Sequence, residues 1–204
     1  MRSIDGRKLA LKVSKEVMAE HKEQIIAAAA NRYRERGIDG ISVADLMKEV
    51  GLTHGGFYRH FSSKDELIAL SALRAVSDTI TDWRKIADKA TGDRLEAVVH
   101  YYLSLRHHDH PETGCLAAAL GCELSRQPSS VKDGVTDGER QMIDFLSGIA
   151  AGKTKASRRK QAIVAFASMV GGMTLARMTS DTELRQDILK IVAHAVSKSV
   201  SATI

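Results

Sequence analysis

The chain has 204 residues, 44% of them hydrophobic and 27% charged, with a formal net charge of +5. That is long enough for one or two domains with a full core, in an ordinary globular composition. Two cysteines exclude a disulfide scaffold and are expected to stay thiols in a reducing compartment. There is no apolar signal-peptide core and no apolar run long enough to span a bilayer, so a cytoplasmic protein without a membrane partner is expected. Only two prolines and few β-branched alternations predict an all-α fold.

Residues 1–15 read as a basic arm, with Arg2, Arg7, Lys8, Lys12 and Lys15. Such an arm either tracks phosphates or stays solvated. Leu9, Leu11 and Val13 offer a third option, continuation of the first helix toward the N-terminus. That helix is predicted from Glu16 to Arg36, with Ile26, Ala29, Ala30 and Tyr33 as its inner stripe and Gly37 as its C-terminal stop. Residues 1–64 hold 12 Lys+Arg against 8 Asp+Glu, and residues 65–204 hold 18 against 17. The positive excess therefore sits in the first third, where a phosphate-binding face would need it.

Two short helices are predicted to meet at Gly51. In the first, Val43, Leu46, Met47 and Val50 share one face, with Ser42 as N-cap and Asp45 three residues on. Gly51 supplies a tight turn. Thr53 is placed to cap a second helix, which exposes His54, Gly55 and Gly56 and sends Phe57 and Phe61 inward. Helix, glycine turn, helix is the helix-turn-helix pattern, in which the second helix enters the major groove. Thr53 and His54 are candidates to bond bases or phosphates. Gly55 and Gly56 let the backbone approach closely, and they are expected to shorten or loosen the helix. Tyr58, His60 and Lys64 are spaced for flanking phosphates, and the helix N-termini after Ser42 and Ser63 favour anions.

The run G-L-T-H-G-G-F-Y-R-H-F-S-S-K-D-E-L closely resembles the signature of TetR/AcrR-type bacterial repressors. Gly51, Gly55, Tyr58, Phe61, Lys64 and Leu67 all fall in step, and the resemblance covers about residues 20–70. It implies a three-helix helix-turn-helix DNA-binding domain at 16–72, followed by a helical ligand-binding and dimerisation domain at 73–204.

Ser63-x-x-Glu66 is a capping box that opens a long helix carrying Ile68, Ala72, Ala75, Val76 and Thr79 toward Trp83. This helix leads from the reading head into the second domain. After a break at Thr91-Gly92-Asp93, Leu95, Val98, Val99, Tyr102 and Leu103 point inward on the next helix. It is expected to end in Arg106-His107-His108-Asp109-His110. The spacing there is poor for a metal, since His107 and His108 point apart, and a polar helix end is the better reading.

Cys115 lies near the start of a small-residue helix, where the N-terminal dipole would lower a thiol pKa. The Gly114-Cys115-Leu116 segment resembles that of a family branch whose cysteine reacts with oxidants or electrophiles. The alternative is that both cysteines are small buried hydrophobes. Cys115 and Cys122 would stand roughly 10 Å apart along one helix, too far for a bridge that needs about 7 Å.

Pro128 is placed to start another helix with Val131, Val135, Met142, Phe145 and Leu146 on its apolar face. A loop is expected over 148–160, with a basic end. Two closing helices carry Ile163, Phe166, Val170 and Met173, then Leu184, Ile188, Ile191, Val192 and Ala195. In proteins of the family this chain resembles, the last two helices form a four-helix bundle across a dimer two-fold. A symmetric dimer would present two reading helices to a palindromic double-stranded DNA operator.

The expected function is a ligand-responsive dimeric repressor, released by a small molecule or electrophile in the C-terminal domain. Helix faces place Trp83, Tyr102, Leu103, Arg106 and Cys115 around the effector. The alternative is oxidant or electrophile sensing through modification of Cys115. No nucleophile elbow, phosphate-binding glycine loop or metal set points to an enzyme, and no cofactor is implied. An architectural DNA protein would show neither effector-dependent release nor sequence preference.

Overall fold

The computed structural model describes residues 3–201, with side chains described from Lys15 to Ser199. Its α-helices are α1 (Ser3–Arg36), α2 (Val43–Glu49), α3 (Lys64–Lys89), α4 (Arg94–Tyr102), α5 (Leu105–Asp109), α6 (Leu116–Leu124), α7 (Ser129–Ile149), α8 (Lys155–Met178) and α9 (Thr182–Ser201). Two 3₁₀ helices, His54–Arg59 and Pro111–Thr113, complete the order, and no strand occurs among the described residues.

The N-terminal segment is helical from Ser3, so α1 absorbs the stretch anticipated as an arm. Contact of Arg2, Arg7, Lys8 and Lys12 with phosphate concerns side chains outside the described residues. Ile25, Ile26, Ala29, Ala30 and Tyr33 form the buried stripe of α1. Gly37 ends the helix at φ 82°, and its N–H donates to the Tyr33 carbonyl at 2.8 Å. A left-handed residue at this position is where glycine carries no Cβ penalty.

The long helix α3 is the spine. Leu67, Ile68, Ala72, Ala75, Val76, Trp83 and Ala87 are buried along it. The Ser63 hydroxyl accepts the Glu66 N–H at 3.1 Å. The reciprocal limb lands one residue earlier than a standard box, because the Glu66 carboxylate accepts the Ser62 N–H at 2.7 Å and the Ser62 hydroxyl at 2.8 Å. These donors and Lys22 hold the Glu66 carboxyl down at about 2. On its other side α3 packs on α7 at glycine distance: a Cβ on Gly138 would lie 2.9 Å from Val76 Cγ2.

Around Trp83 the core is aromatic, with Tyr102, Phe145 and Phe166 at ring-centroid distances of 6.0, 6.2 and 6.1 Å. Edge and tilted packing of this kind adds to the burial of apolar area.

Three features differ from the sequence expectation. The fourth helix stops at Tyr102, and Ser104 caps a separate short α5 by accepting the His107 N–H at 3.3 Å. The loop expected over 148–160 contracts to 150–154, because Thr154 and Ser157 form a capping box that starts α8 at once. Lys155, Arg158, Arg159 and Lys160 therefore lie on the first turns of a helix. Finally, α8 is long and apolar enough to cross a bilayer by length and composition, with mean hydropathy 1.2. This corrects the expectation that no run is long enough, but Ala162, Ala165, Phe166, Met169 and Met173 of this helix are buried in the protein core.

Candidate nucleic-acid interface and effector domain

The reading head is built around two phenylalanines. Phe57 and Phe61 are each 2% exposed and stack at 5.2 Å. They anchor the His54–Arg59 helix, so Tyr58 and Arg59 between them point out. Gly51, at φ 74°, turns the chain between the two helices. Ser42 caps α2 by accepting the Asp45 N–H at 3.1 Å, while its own hydroxyl donates to Asp45 Oδ2 at 2.6 Å. Its hydroxyl is thus committed to the cap, and what Ser42 offers DNA is an exposed position beside α2's first amides.

Thr53 stands at the N-cap position of the reading helix, but its side chain makes no capping bond. This departs from the expected role and leaves the exposed hydroxyl available. The reading helix itself is a six-residue 3₁₀ helix, consistent with two adjacent glycines weakening an α-helix. His54 and Gly55 are exposed. A Cβ on Gly55 would meet nothing within 4 Å, and one on Gly56 would touch Met47 Cε at 3.6 Å. Tyr58 is 73% exposed, edge-on to Phe57.

Two expected phosphate contacts are otherwise engaged. His60 turns back toward α1, with its ring 6.1 Å from that of His21. Partial burial, then His21, Lys22 and Arg59, lower its pKa, against a hydrogen bond to the Met18 backbone. The Lys64 ammonium pairs with Asp39 at 3.1 Å, a contact that a phosphate would have to replace. Arg59 went unnoticed in the sequence. It is exposed in the last turn of the reading helix and forms no salt bridge among the described residues. The signal that could have found it is its place between outward Tyr58 and inward Phe61.

In the C-terminal half, Trp83, Tyr102 and Cys115 do meet, but the space they share with Thr79, His107 and Gly114 is only ≈20 Å³. That holds a water, not an effector. Leu103 packs elsewhere, under Gly172 of α8, where a Cβ would lie 3.2 Å from Leu103 Cδ2. Arg106 is exposed, beside an open polar cleft with Asp82, His110 and Glu112. The expected effector set is therefore one tight core contact plus two residues that leave it.

The Cys115 thiol is 1% exposed, and burial pushes its pKa up. Tyr102 and the Ala118 and Ala117 backbone pull the other way, but desolvation is larger. The lowering expected from a helix N-terminus is thus outweighed. Cys122 is exposed on the same α6.

Both imidazole nitrogens of His107 are used. Nδ1–H donates to the Tyr102 carbonyl at 2.8 Å, and Nε2 accepts the Cys115 N–H at 2.9 Å. That fixes the neutral tautomer, and burial drives the pKa down to about 4. His108 contacts Asp109 and the Ala176 carbonyl, and His110 contacts Glu112. Among the described residues no group of His, Cys, Asp and Glu is arranged for a metal ion.

The surfaces of α8 and α9 carry exposed apolar side chains: Val164 46%, Leu175 55%, Met178 76%, Leu184 49% and Ile191 63%. Of the residues assigned to this face, Ile163, Ile191 and Ala195 are exposed, and Val170, Ile188 and Val192 are half-buried. Phe166 and Met173 are buried within the chain, Phe166 against Trp83. They sit on the opposite side of α8, because a helix turns 100° per residue and the outward stripe runs through Val164, Gly171, Leu175 and Met178.

A helical chain with an outward reading helix behind a glycine turn defines a helix-turn-helix DNA-binding regulator. The family model described as "Bacterial regulatory proteins, tetR family" matches residues 25–70, and "Tetracyclin repressor-like, C-terminal domain" matches residues 91–192, half of the chain. The chain belongs to the TetR family of transcriptional regulators. It is 29% identical over 193 residues to the HTH-type transcriptional regulator PksA of Bacillus subtilis, covering 90% of this chain and 92% of the relative. The fold resembles that of reduced Escherichia coli NemR, with TM-score 0.71 and 20% identity over 88% of this chain and 96% of that one. It also resembles Bacillus subtilis FadR in complex with stearoyl-CoA, with TM-score 0.65 and 18% identity over 89% and 98% of the two chains.

Proposed function

We propose that this protein is a dimeric repressor that binds a palindromic operator and is released by a small molecule held in its C-terminal domain. The observation that carries the reading is the pairing of two surfaces. One is an outward reading helix with Thr53, His54, Tyr58 and Arg59 exposed; the other is an apolar stripe on α8 and α9 that none of the described residues covers. Burying that stripe against a second copy would remove it from water and set two reading helices about a two-fold. The boundary between the two functional units is assigned within α3, near residue 72. The protein acts by binding rather than by catalysis, in the cytoplasm where its DNA target lies.

In this account the Gly55 backbone approaches base edges, His54 and Thr53 bond to bases or phosphates, and Tyr58, Arg59 and Lys64 contact the flanking backbone. The test is fluorescence anisotropy of a duplex selected from a random pool. Arg59→Ala should weaken binding and lower the slope of log affinity against log salt by about 1. Tyr58→Ala should weaken binding at every salt concentration. Retention of no duplex by the wild type would refute the reading.

A second reading keeps the same DNA chemistry but uses Cys115 as an oxidant or electrophile sensor. It is favoured by the place of Cys115 at the N-cap of α6, where the helix dipole would stabilise a thiolate once the site opens. The likeness to NemR in its reduced form agrees with it. Because the thiol is buried, reaction would need local opening and would be slow. Loss of oxidant-driven operator release in Cys115→Ser supports this reading, and unchanged release removes it.

A further inference from the structure

A cleft of ≈220 Å³ lies between α3, α6 and α7, walled mainly by Val76, Leu116, Leu124, Val135 and Met142. It is about tenfold larger than the space beside Cys115. It is also below the roughly 300–1,000 Å³ of drug-sized sites, which suits a single chain or single ring rather than a fused polycycle. The wall is apolar, but α7 sets two opposite charges on its rim, Lys132 and Glu139. Neither forms a salt bridge with another described residue. Lys132 lies near the start of α7 (Ser129–Ile149), where the helix dipole also favours a negative group. Glu139 is seven residues on, about 10 Å along the axis, and repels a second anionic group there.

We propose that this cleft takes small apolar monocarboxylates, with the carboxylate on Lys132 and the apolar body along Leu124, Val135 and Met142, and that it is the effector site. The effector role rests on the ligand-responsive repressor reading above; the binding itself does not.

The position of the cleft explains how occupancy reaches the reading head. One wall is α6, and α6 is pinned to the DNA-binding half at both ends. Just ahead of its first turn, the Gly114 carbonyl accepts from Arg34 Nη1 at 2.8 Å. In its last turn, Glu123 Oε2 accepts the Ile38 N–H at 2.8 Å, at the point where the chain leaves α1. A body wedged between α6 and α7 strains these two contacts.

The probes are hexanoate, octanoate and decanoate, with octylamine as the opposite charge, titrated calorimetrically into the full-length protein. Two variants accompany the wild type. Gly121 lines the cleft, and a Cβ there meets nothing within 4 Å. Gly121→Leu therefore fills the cleft from a helix position that favours leucine, and its thermal melt reports whether it folds. Lys132→Glu reverses the rim charge.

Octanoate is expected to bind the wild type, to bind Lys132→Glu at least tenfold more weakly, and to show no heat with folded Gly121→Leu. It should release the selected duplex from the wild type. Absence of binding by every carboxylate, octylamine binding as tightly as octanoate, or octanoate binding retained in Gly121→Leu would each overturn the site. Binding without release of DNA would overturn its effector role. Failure to bind DNA in the absence of any carboxylate would instead count against the repressor reading, and the calorimetry would stand apart from it.

Discussion

His107 lies between the Tyr102 carbonyl and the Cys115 amide, with its ring 4.4 Å from that of Tyr102. Its role is to hold the α5–α6 connection, and it can do so only while neutral, since a proton on Nε2 would face the Cys115 N–H. With a folded pKa of about 4 against 6.5 for the free group, the unfolded chain binds a proton first as pH falls. The stabilisation is complete above pH 6.5 and is lost progressively toward pH 4, by about 3 kcal/mol in all. Urea denaturation at pH 7 and pH 4.5 should show this loss in the wild type and a smaller one in His107→Gln. Equal losses would remove His107 as the cause. This role was not legible in the sequence, where three histidines in four residues suggested a metal question. Asp109, Glu112 and Cys115 are local partners, one, two and eight residues away, and only Ala176 is distant; it is the fold of α5 and its connection to α6 that selects them, which spacing alone does not give.

Among the elements, the reading helix was the most legible. Gly51, the Ser42 and Ser63 caps, and inward Phe57 and Phe61 are local signals, each set by a backbone angle or a three-residue spacing. The 3₁₀ geometry follows from the same local cause, the Gly55-Gly56 pair. If Gly55 is exposed so that backbone meets DNA, Gly55→Ala should raise thermal stability slightly, because alanine loses less backbone freedom. It should also reduce operator affinity at least tenfold. A melt and an anisotropy titration on one preparation decide this, and full affinity in the variant would mean that the DNA lies elsewhere.

Glu123 was not legible, because its partner, the Ile38 amide, is 85 residues distant. Glu123→Ala leaves that amide without its acceptor beside an Ile38 that is 2% exposed. It should cost roughly 1–3 kcal/mol, read by urea denaturation. The expected effector residues do not line one open cavity, for a related reason. Helix faces correctly put Trp83, Tyr102 and Cys115 inward, but inward residues of a well-packed chain meet one another and leave no room for a ligand.

For the whole molecule, the all-helical class and the last two helices were readable from hydrophobic periodicity. The side of α8 that faces outward was not. Phe166 and Met173 belong to the chain's own core, while Leu175 and Met178 stand in the open at 55% and 76% exposure. A monomer leaves that stripe in water, and a dimer through α8 and α9 removes it. Leu175→Glu together with Met178→Glu should therefore convert the protein to a monomer in light scattering, with its helical circular dichroism retained. A dimer that survives both changes would place the interface elsewhere.

The most direct test of the central claim is a hydroxyl-radical footprint of the wild type on its selected duplex. Two symmetry-related readers predict two protected blocks of inverted sequence, with centres one helical turn of about 34–36 Å apart or a multiple of it. They also predict loss of the paired pattern in the Leu175→Glu, Met178→Glu protein. A single protected block, or even protection without sequence preference, would contradict a dimeric repressor acting through the His54–Arg59 helix.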